Sequence, residues 1–101
     1  MANVSMIIKL KAQPGKRDEM LEVMRGLVDA AEQEPGTLQY VFNTPDDDPD
    51  TVWAFELYTD DDALNTHSAS PAMAEVIGKF GGLVDGMPEM IKATVAMGKG
   101  L

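Results

Sequence analysis

His67 is the single histidine in the chain, and its side chain ordinarily titrates near pH ~6.5, where a protein can use it to move a proton. It follows Ala63 and Leu64 at the spacing that places residues on one helix face, so a helical segment would turn the ring inward. Two readings are open: a proton acceptor in a cavity, or a hydrogen-bonded histidine at the margin of the core. Glu56 is a lone carboxylate in an apolar run, VWAFELY at positions 52–58. Facing a cavity, it would be raised by burial and fitted to accept or donate a proton; facing a rim or another subunit, it is a satisfied strand acid. The acidic runs Asp46-Asp47-Asp48 with Asp50, and Asp60-Asp61-Asp62, lack the alternating ligands, central glycine and terminal glutamate of a calcium loop. The first reads as a solvated turn and the second as a helix N-terminus, where acids complement the dipole. No phosphate loop, dinucleotide fingerprint or zinc-binding histidine pair occurs, and Ser68 and Ser70 lie too near His67 in sequence for a hydrolytic pair. The eight methionines suit an adaptable apolar pocket and equally serve as core filler.

Hydrophobic periodicity supplies the elements that must hold these groups. Residues 4–12 alternate, with Val4, Met6, Ile8, Leu10 and Ala12 on one face and Ser5, Lys9 and Lys11 on the other, which predicts a strand. Gln13-Pro14-Gly15 ends it. From 16 to 34 the period is helical, with Met20, Val23, Met24, Leu27 and Ala31 on one stripe, and Pro35-Gly36 stops the helix. Strands are expected at 37–44, with Leu38, Tyr40 and Phe42 on one face, and at 52–59; they pair as a hairpin around the loop at 45–50. A short helix capped by Thr59 or Asp60 carries Ala63, Leu64 and His67. Ser70-Pro71 opens another, with Met73, Ile77, Phe80 and Val84 facing inward, ended by Gly81-Gly82 or by Gly86-Met87-Pro88. A last strand at 89–97 alternates Ile91, Ala93, Val95 and Met97, and 98–101 form a loose tail. The order β-α-β-β-α-β predicts one ferredoxin-like α+β domain over 1–101, an antiparallel sheet with helices on one face.

A chain of 101 residues holds one domain and hides only about two-thirds of its unfolded surface. Without cysteine it has neither disulfides nor thiolate metal sites, so packing and association must stabilise it. The third strand is apolar on both faces, at Val52, Trp53, Ala54, Phe55, Leu57 and Tyr58, although helices cover only one. A homodimer packed sheet face to sheet face is the expected remedy. Net charge −9, from 17 acids against 8 bases, makes nucleic acid and anionic membrane poor partners. No run approaches the roughly 18 apolar residues of a membrane span. The start, MANVSMIIKLKAQ, lacks the features of a signal peptide, and a cytoplasmic address is the default expectation.

The string EQEPGTLQYVF, followed after a short loop by VWAFELYTDDDALNTHSASPAM, resembles the antibiotic biosynthesis monooxygenase superfamily, above all its quinol-monooxygenase-like branch. The resemblance rests on the turn Glu34-Pro35-Gly36, on Tyr40, on Glu56 and Tyr58 closing the third strand, on Ala63-Leu64, His67 and Ser70-Pro71, and on the strand end AQPGK. It implies a ferredoxin-like dimer whose sheets form a barrel, with a ligand pocket between sheet and helices. It also implies oxygenation of an electron-rich phenol, quinol or anthrone by dioxygen, without metal, flavin or other cofactor. On this likeness His67 is the base, and Tyr40, Trp53, Glu56 and Tyr58 line or orient the pocket, though adjacent strand residues cannot all face it. The sequence departs from the pattern at Thr37, where some relatives have cysteine, at Tyr58 in place of a common tryptophan, and at Ala72 in place of a second histidine. Ile77 stands where haem-degrading relatives need histidine, which disfavours a haem oxygenase. A non-catalytic dimeric module for a small hydrophobic ligand, or an isomerase or cyclase on the same scaffold, are the alternative expectations.

Overall fold

The computed structural model describes residues 3–101. Its elements are β1 (Val4–Lys11), α1 (Arg17–Ala31), β2 (Thr37–Asn43), β3 (Thr51–Tyr58), α2 (Asp61–Ser68), α3 (Pro71–Gly78) and β4 (Glu89–Thr94). The strands form one antiparallel sheet in the order β2-β3-β1-β4, and the three helices complete the ferredoxin-like α+β arrangement the element order implied. Within a single chain the sheet is open, with β2 and β4 as bare edges, and does not close into a barrel.

Cross-strand register sorts side chains into rows. On the helix-covered face one row runs Tyr40–Glu56–Met6–Lys92, and the next runs Phe42–Ala54–Ile8–Met90. Leu10, Ala12 and Val52 continue this face into the main core, against Met20, Met24 and Leu27 of α1 and Val76 of α3. That stripe on α1 is the predicted one, and α1 carries Asp18 and Glu19 in its first turn, where acids suit the helix dipole. The helix ends at Ala31, short of the expected residue 34, because Glu34 donates its N–H to the Ala31 carbonyl and Thr37 donates to Glu34 in successive turns.

Several expectations need correction. A bulge between Thr37 and Gln39 removes Leu38 from the face of Tyr40 and Phe42 and leaves it half-exposed, since the extra residue breaks the two-residue period. In α3, Val76 points into the core while Ile77 is 58% exposed. This helix stops at Gly78, so Val84 is not on a helix: it pairs with Ala12 in an isolated bridge, and Asp85 N–H donates to Lys11. Gly82 and Gly86 take positive φ (+79° and +78°) in this return segment, a conformation costly for other residues. The last strand ends at Thr94 rather than 97, although Val95 N–H still reaches Asn3. The first acidic run is more knitted than a solvated turn. Asp48 accepts from the Thr51 hydroxyl (2.7 Å) and the Asp50 amide (2.9 Å), which in that order hold its carboxyl below the usual range.

Candidate active site

Between the sheet and the helices lies a cavity of about 280 Å³, walled by all four strands and all three helices. Its polar groups are few. Tyr40, Glu56 and His67 are the titratable ones, and Leu10, Met24, Leu27, Phe42, Ala54 and Met73 are among the apolar residues of the remaining wall.

His67 owes its position to α2. Asp60 caps that helix by accepting from Ala63 N–H (2.8 Å), and the inward face then carries Leu64 and His67. The ring is 1% exposed, and its Nδ1 lies 2.8 Å from Oε1 of Glu34. The Thr37 hydroxyl donates to the same carboxylate oxygen at 2.8 Å. A carboxylate can only accept, so ionised Glu34 puts the neutral imidazole proton on Nδ1 and leaves the lone pair on Nε2. Nε2 is buried and has no hydrogen-bond partner among the described residues. The rings of Tyr40 and Tyr58 flank the imidazole, with centroids 4.7 and 5.7 Å away.

Glu34 is the site residue that sequence reasoning missed; it was visible only as part of a turn. Its position depends on Gly36. Thr59 N–H donates to the Gly36 carbonyl (2.9 Å), and a Cβ at 36 would lie 2.5 Å from the Cβ of Ala63. Glycine therefore lets the turn press against the start of α2, the approach that brings Glu34 to His67. On the far side of Tyr40 a polar cleft of about 160 Å³ is lined by Glu32, Glu34, Thr37 and Gln39. Glu34 thus belongs to a solvent-side cleft while its partner His67 belongs to the buried cavity.

Glu56 faces this cavity, 3% exposed, and its Oε1 accepts from the Tyr58 hydroxyl at 2.5 Å. Burial pushes its carboxyl above the usual range, against the smaller opposing effects of the Tyr58 hydrogen bond and of His67. Burial, reinforced by neighbouring carboxylates, likewise pushes the Tyr40 and Tyr58 hydroxyls up, so both remain neutral donors. Tyr58 packs with Val4 and Leu64 behind the wall and supports Glu56 without lining the cavity. Trp53 is on the opposite sheet face, 40% exposed, with Lys9 Nζ 5.7 Å from its ring. The reason is parity: Ala54, Glu56 and Tyr58 face the helices, so Trp53 cannot.

The buried Glu56 makes a prediction about stability. Its folded pKa lies above the unfolded value of about 4.3, so between the two the folded state binds more protons and stability falls as pH rises. Glu56→Gln keeps an acceptor for Tyr58 and removes the titration. Its stability advantage over the wild type in urea unfolding is expected to grow as pH rises from about 4 toward neutrality. A difference independent of pH would mean that the carboxyl is not perturbed.

The arrangement can hold an apolar ring away from water, offer a lone pair at Nε2 to a hydroxyl proton, and give hydrogen bonds to a second oxygen from Tyr40 or Glu56. Among the described residues no helix is long and apolar enough to cross a membrane. Solved structures share the fold. A Caulobacter crescentus protein, assigned by name to the antibiotic biosynthesis monooxygenases, is 24% identical over 95% of this chain and 92% of its own, with TM-score 0.89. One from Chloroflexus aurantiacus, named likewise, is 26% identical over 98% of both chains, with TM-score 0.82. A Pseudomonas aeruginosa protein is 21% identical over 96% of this chain and 97% of its own, with TM-score 0.87. No curated protein matches the sequence. The sequence profile described as antibiotic biosynthesis monooxygenase matches residues 3–79, which span every element except β4, and the chain belongs to that family.

Proposed function

We propose that the protein is a cofactor-independent monooxygenase that oxidises a small electron-rich aromatic, a quinol, hydroxyquinol or anthrone-like phenol, with dioxygen. The observation that carries this reading is the buried His67, tied to Glu34 through Nδ1 and, among the described residues, without a partner at Nε2, in the wall of an apolar cavity. Nε2 takes the hydroxyl proton of the substrate. The resulting anion passes an electron to dioxygen, and the radical pair joins through a new C–O bond to give a peroxide. His67 returns its proton to that peroxide. Loss of the ring C–H proton together with hydroxide then forms the carbonyl and one water, so one oxygen atom enters the product. The electrons come from the substrate, and the protein has to bind, dehydrate and deprotonate it. Tyr40 and Glu56, the latter held by Tyr58, orient the second oxygen.

The test is dissolved-oxygen consumption by EDTA-treated protein with hydroquinones, hydroxyquinols and anthrones, against each compound's autoxidation. Uptake above background supports the oxygenase. Tight binding without uptake favours a binding module, and product formation under nitrogen favours an isomerase or cyclase.

The same reading includes a homodimer. Val41, Phe55, Ile7 and Ile91 form an apolar row across all four strands on the helix-free face, with Trp53 beside it. Val41, Trp53 and Ile91 are well exposed in the single chain, the pattern of a face that a second sheet would cover. Sedimentation at micromolar concentration is expected to give twice the chain mass, and a mass near 10.9 kDa would overturn the dimer.

A further inference from the structure

We infer that the cavity accepts a phenol or quinol bearing a linear apolar substituent, its oxygenated ring beside His67 and Glu56 and its substituent leaving over Met90 and Ile77. This deepens the proposed function and rests on its placement of the ring, but the binding it describes does not depend on oxygen chemistry.

The two rows on the helix-covered face differ in kind. Tyr40–Glu56–Met6–Lys92 is polar at three of its four positions, and its Lys92 end is tied to the start of α2 by the Lys92–Asp61 ion pair (2.6 Å). Phe42–Ala54–Ile8–Met90 is wholly apolar and ends at the bare edge strand β4. No polar residue belongs to this row. Met90 is 60% and Ile77 58% exposed, yet both are cavity wall, so the apolar lining continues outward from the interior to the surface. These two residues lie on the helix side of the sheet and at its edge, away from the Val41–Ile91 row, so a second copy packed on the opposite face would not cover them.

Size points the same way. A dry cavity of about 150 Å³ is enough to hold benzene. At about 280 Å³ this one has nearly twice that room, so a bare hydroquinone would leave the apolar row empty. A ring over the polar row and an alkyl chain over the apolar one would fill it. Water over the inner part of that row would lack polar partners, which gives each methylene placed there a favourable contribution.

The experiment is anaerobic calorimetric titration of the protein with methyl-, butyl- and hexylhydroquinone, so that turnover does not interfere. Affinity is expected to rise up to about fourfold per methylene, the value for full burial. The hexyl-to-methyl affinity ratio is expected to fall at least tenfold in both Met90→Gln and Ile77→Thr; both sites are exposed, so neither change should unfold the chain. Affinity that is flat with chain length, or a ratio unmoved by both variants, would overturn the inference. So would clearly tighter binding of a fused tricyclic phenol than of the hexyl compound. Oxygen uptake with hexylhydroquinone is measured separately. Its absence alongside a steep chain-length slope would sink the oxygenase reading and leave the binding mode standing, whereas uptake with a flat slope would sink only the binding mode.

Discussion

Replacing His67 by alanine is expected to reduce oxygenation of the best quinol substrate by at least about 10²-fold, the lower end of what general-base catalysis contributes. The expectation follows from uniqueness as much as from position. No other histidine exists in the chain, and of the two remaining titratable groups in the cavity wall, Tyr40 is held neutral. Glu56 already accepts the Tyr58 hydroxyl through Oε1, so that oxygen is committed to holding the wall rather than taking a substrate proton. Because His67 is fully buried, the fold of the variant is checked by circular dichroism before turnover is compared. The measurement is turnover from oxygen uptake in parallel with anaerobic substrate affinity. A loss below about threefold, with binding intact, would remove His67 from the chemistry.

Glu34→Gln is expected to give the second large effect, although Glu34 does not line the buried cavity. It is a positioning residue. Its charge favours the imidazolium formed when Nε2 takes a proton, and its acceptor oxygen keeps the resting proton on Nδ1. The size of the loss reports which role dominates. If the amide presents its oxygen to Nδ1, only the charge is lost, and turnover should fall about 10- to 100-fold, as for other supporting hydrogen-bond partners. If the amide presents its NH₂ group, the ring adopts the tautomer protonated on Nε2, and losses approach the roughly 10⁴-fold of a wrong tautomer in a catalytic triad. Either way kcat should fall with KM little changed, and ¹⁵N chemical shifts of the histidine ring would identify the tautomer. Unchanged kcat would mean that the Glu34–His67 contact is only structural.

What could be read beforehand follows the range over which each signal acts. The cap at Ser70 was legible, and the one at Asp60 to within one residue, because a cap and its helix are local: Ser70 accepts from Met73 N–H and Pro71 takes the first helical position. The inward turn of His67 was legible from its spacing to Leu64 for the same reason. Glu34 was not, because it meets His67 across 33 residues and no local pattern records that meeting. Trp53 and Glu56 stood together as pocket candidates on the family likeness, and in a strand apolar on both faces alternation alone does not say which face the helices cover. Only pairing with β1, through Met6 and Glu56, settles it. In α3, Val76 rather than Ile77 meets α1, against Gly26, and a short stretch apolar at both positions does not encode that choice.

The strand order has a consequence for how the chain reaches this structure. β1 lies between β3 and β4, and Val4 pairs with both Tyr58 and Thr94. A central strand is therefore made first and completed last, after the polypeptide has closed a loop of nearly its entire described length. Such non-local closure slows folding relative to helical domains of similar size. The β2–β3 hairpin can form early from neighbouring residues, but until residues 89–94 arrive β1 is itself an edge, with free backbone groups beside Met6 and Ile8. During synthesis, before β4 is in place, that edge is where misassociation between copies would begin, so the least buried strand of the sheet is also the one that covers its central strand.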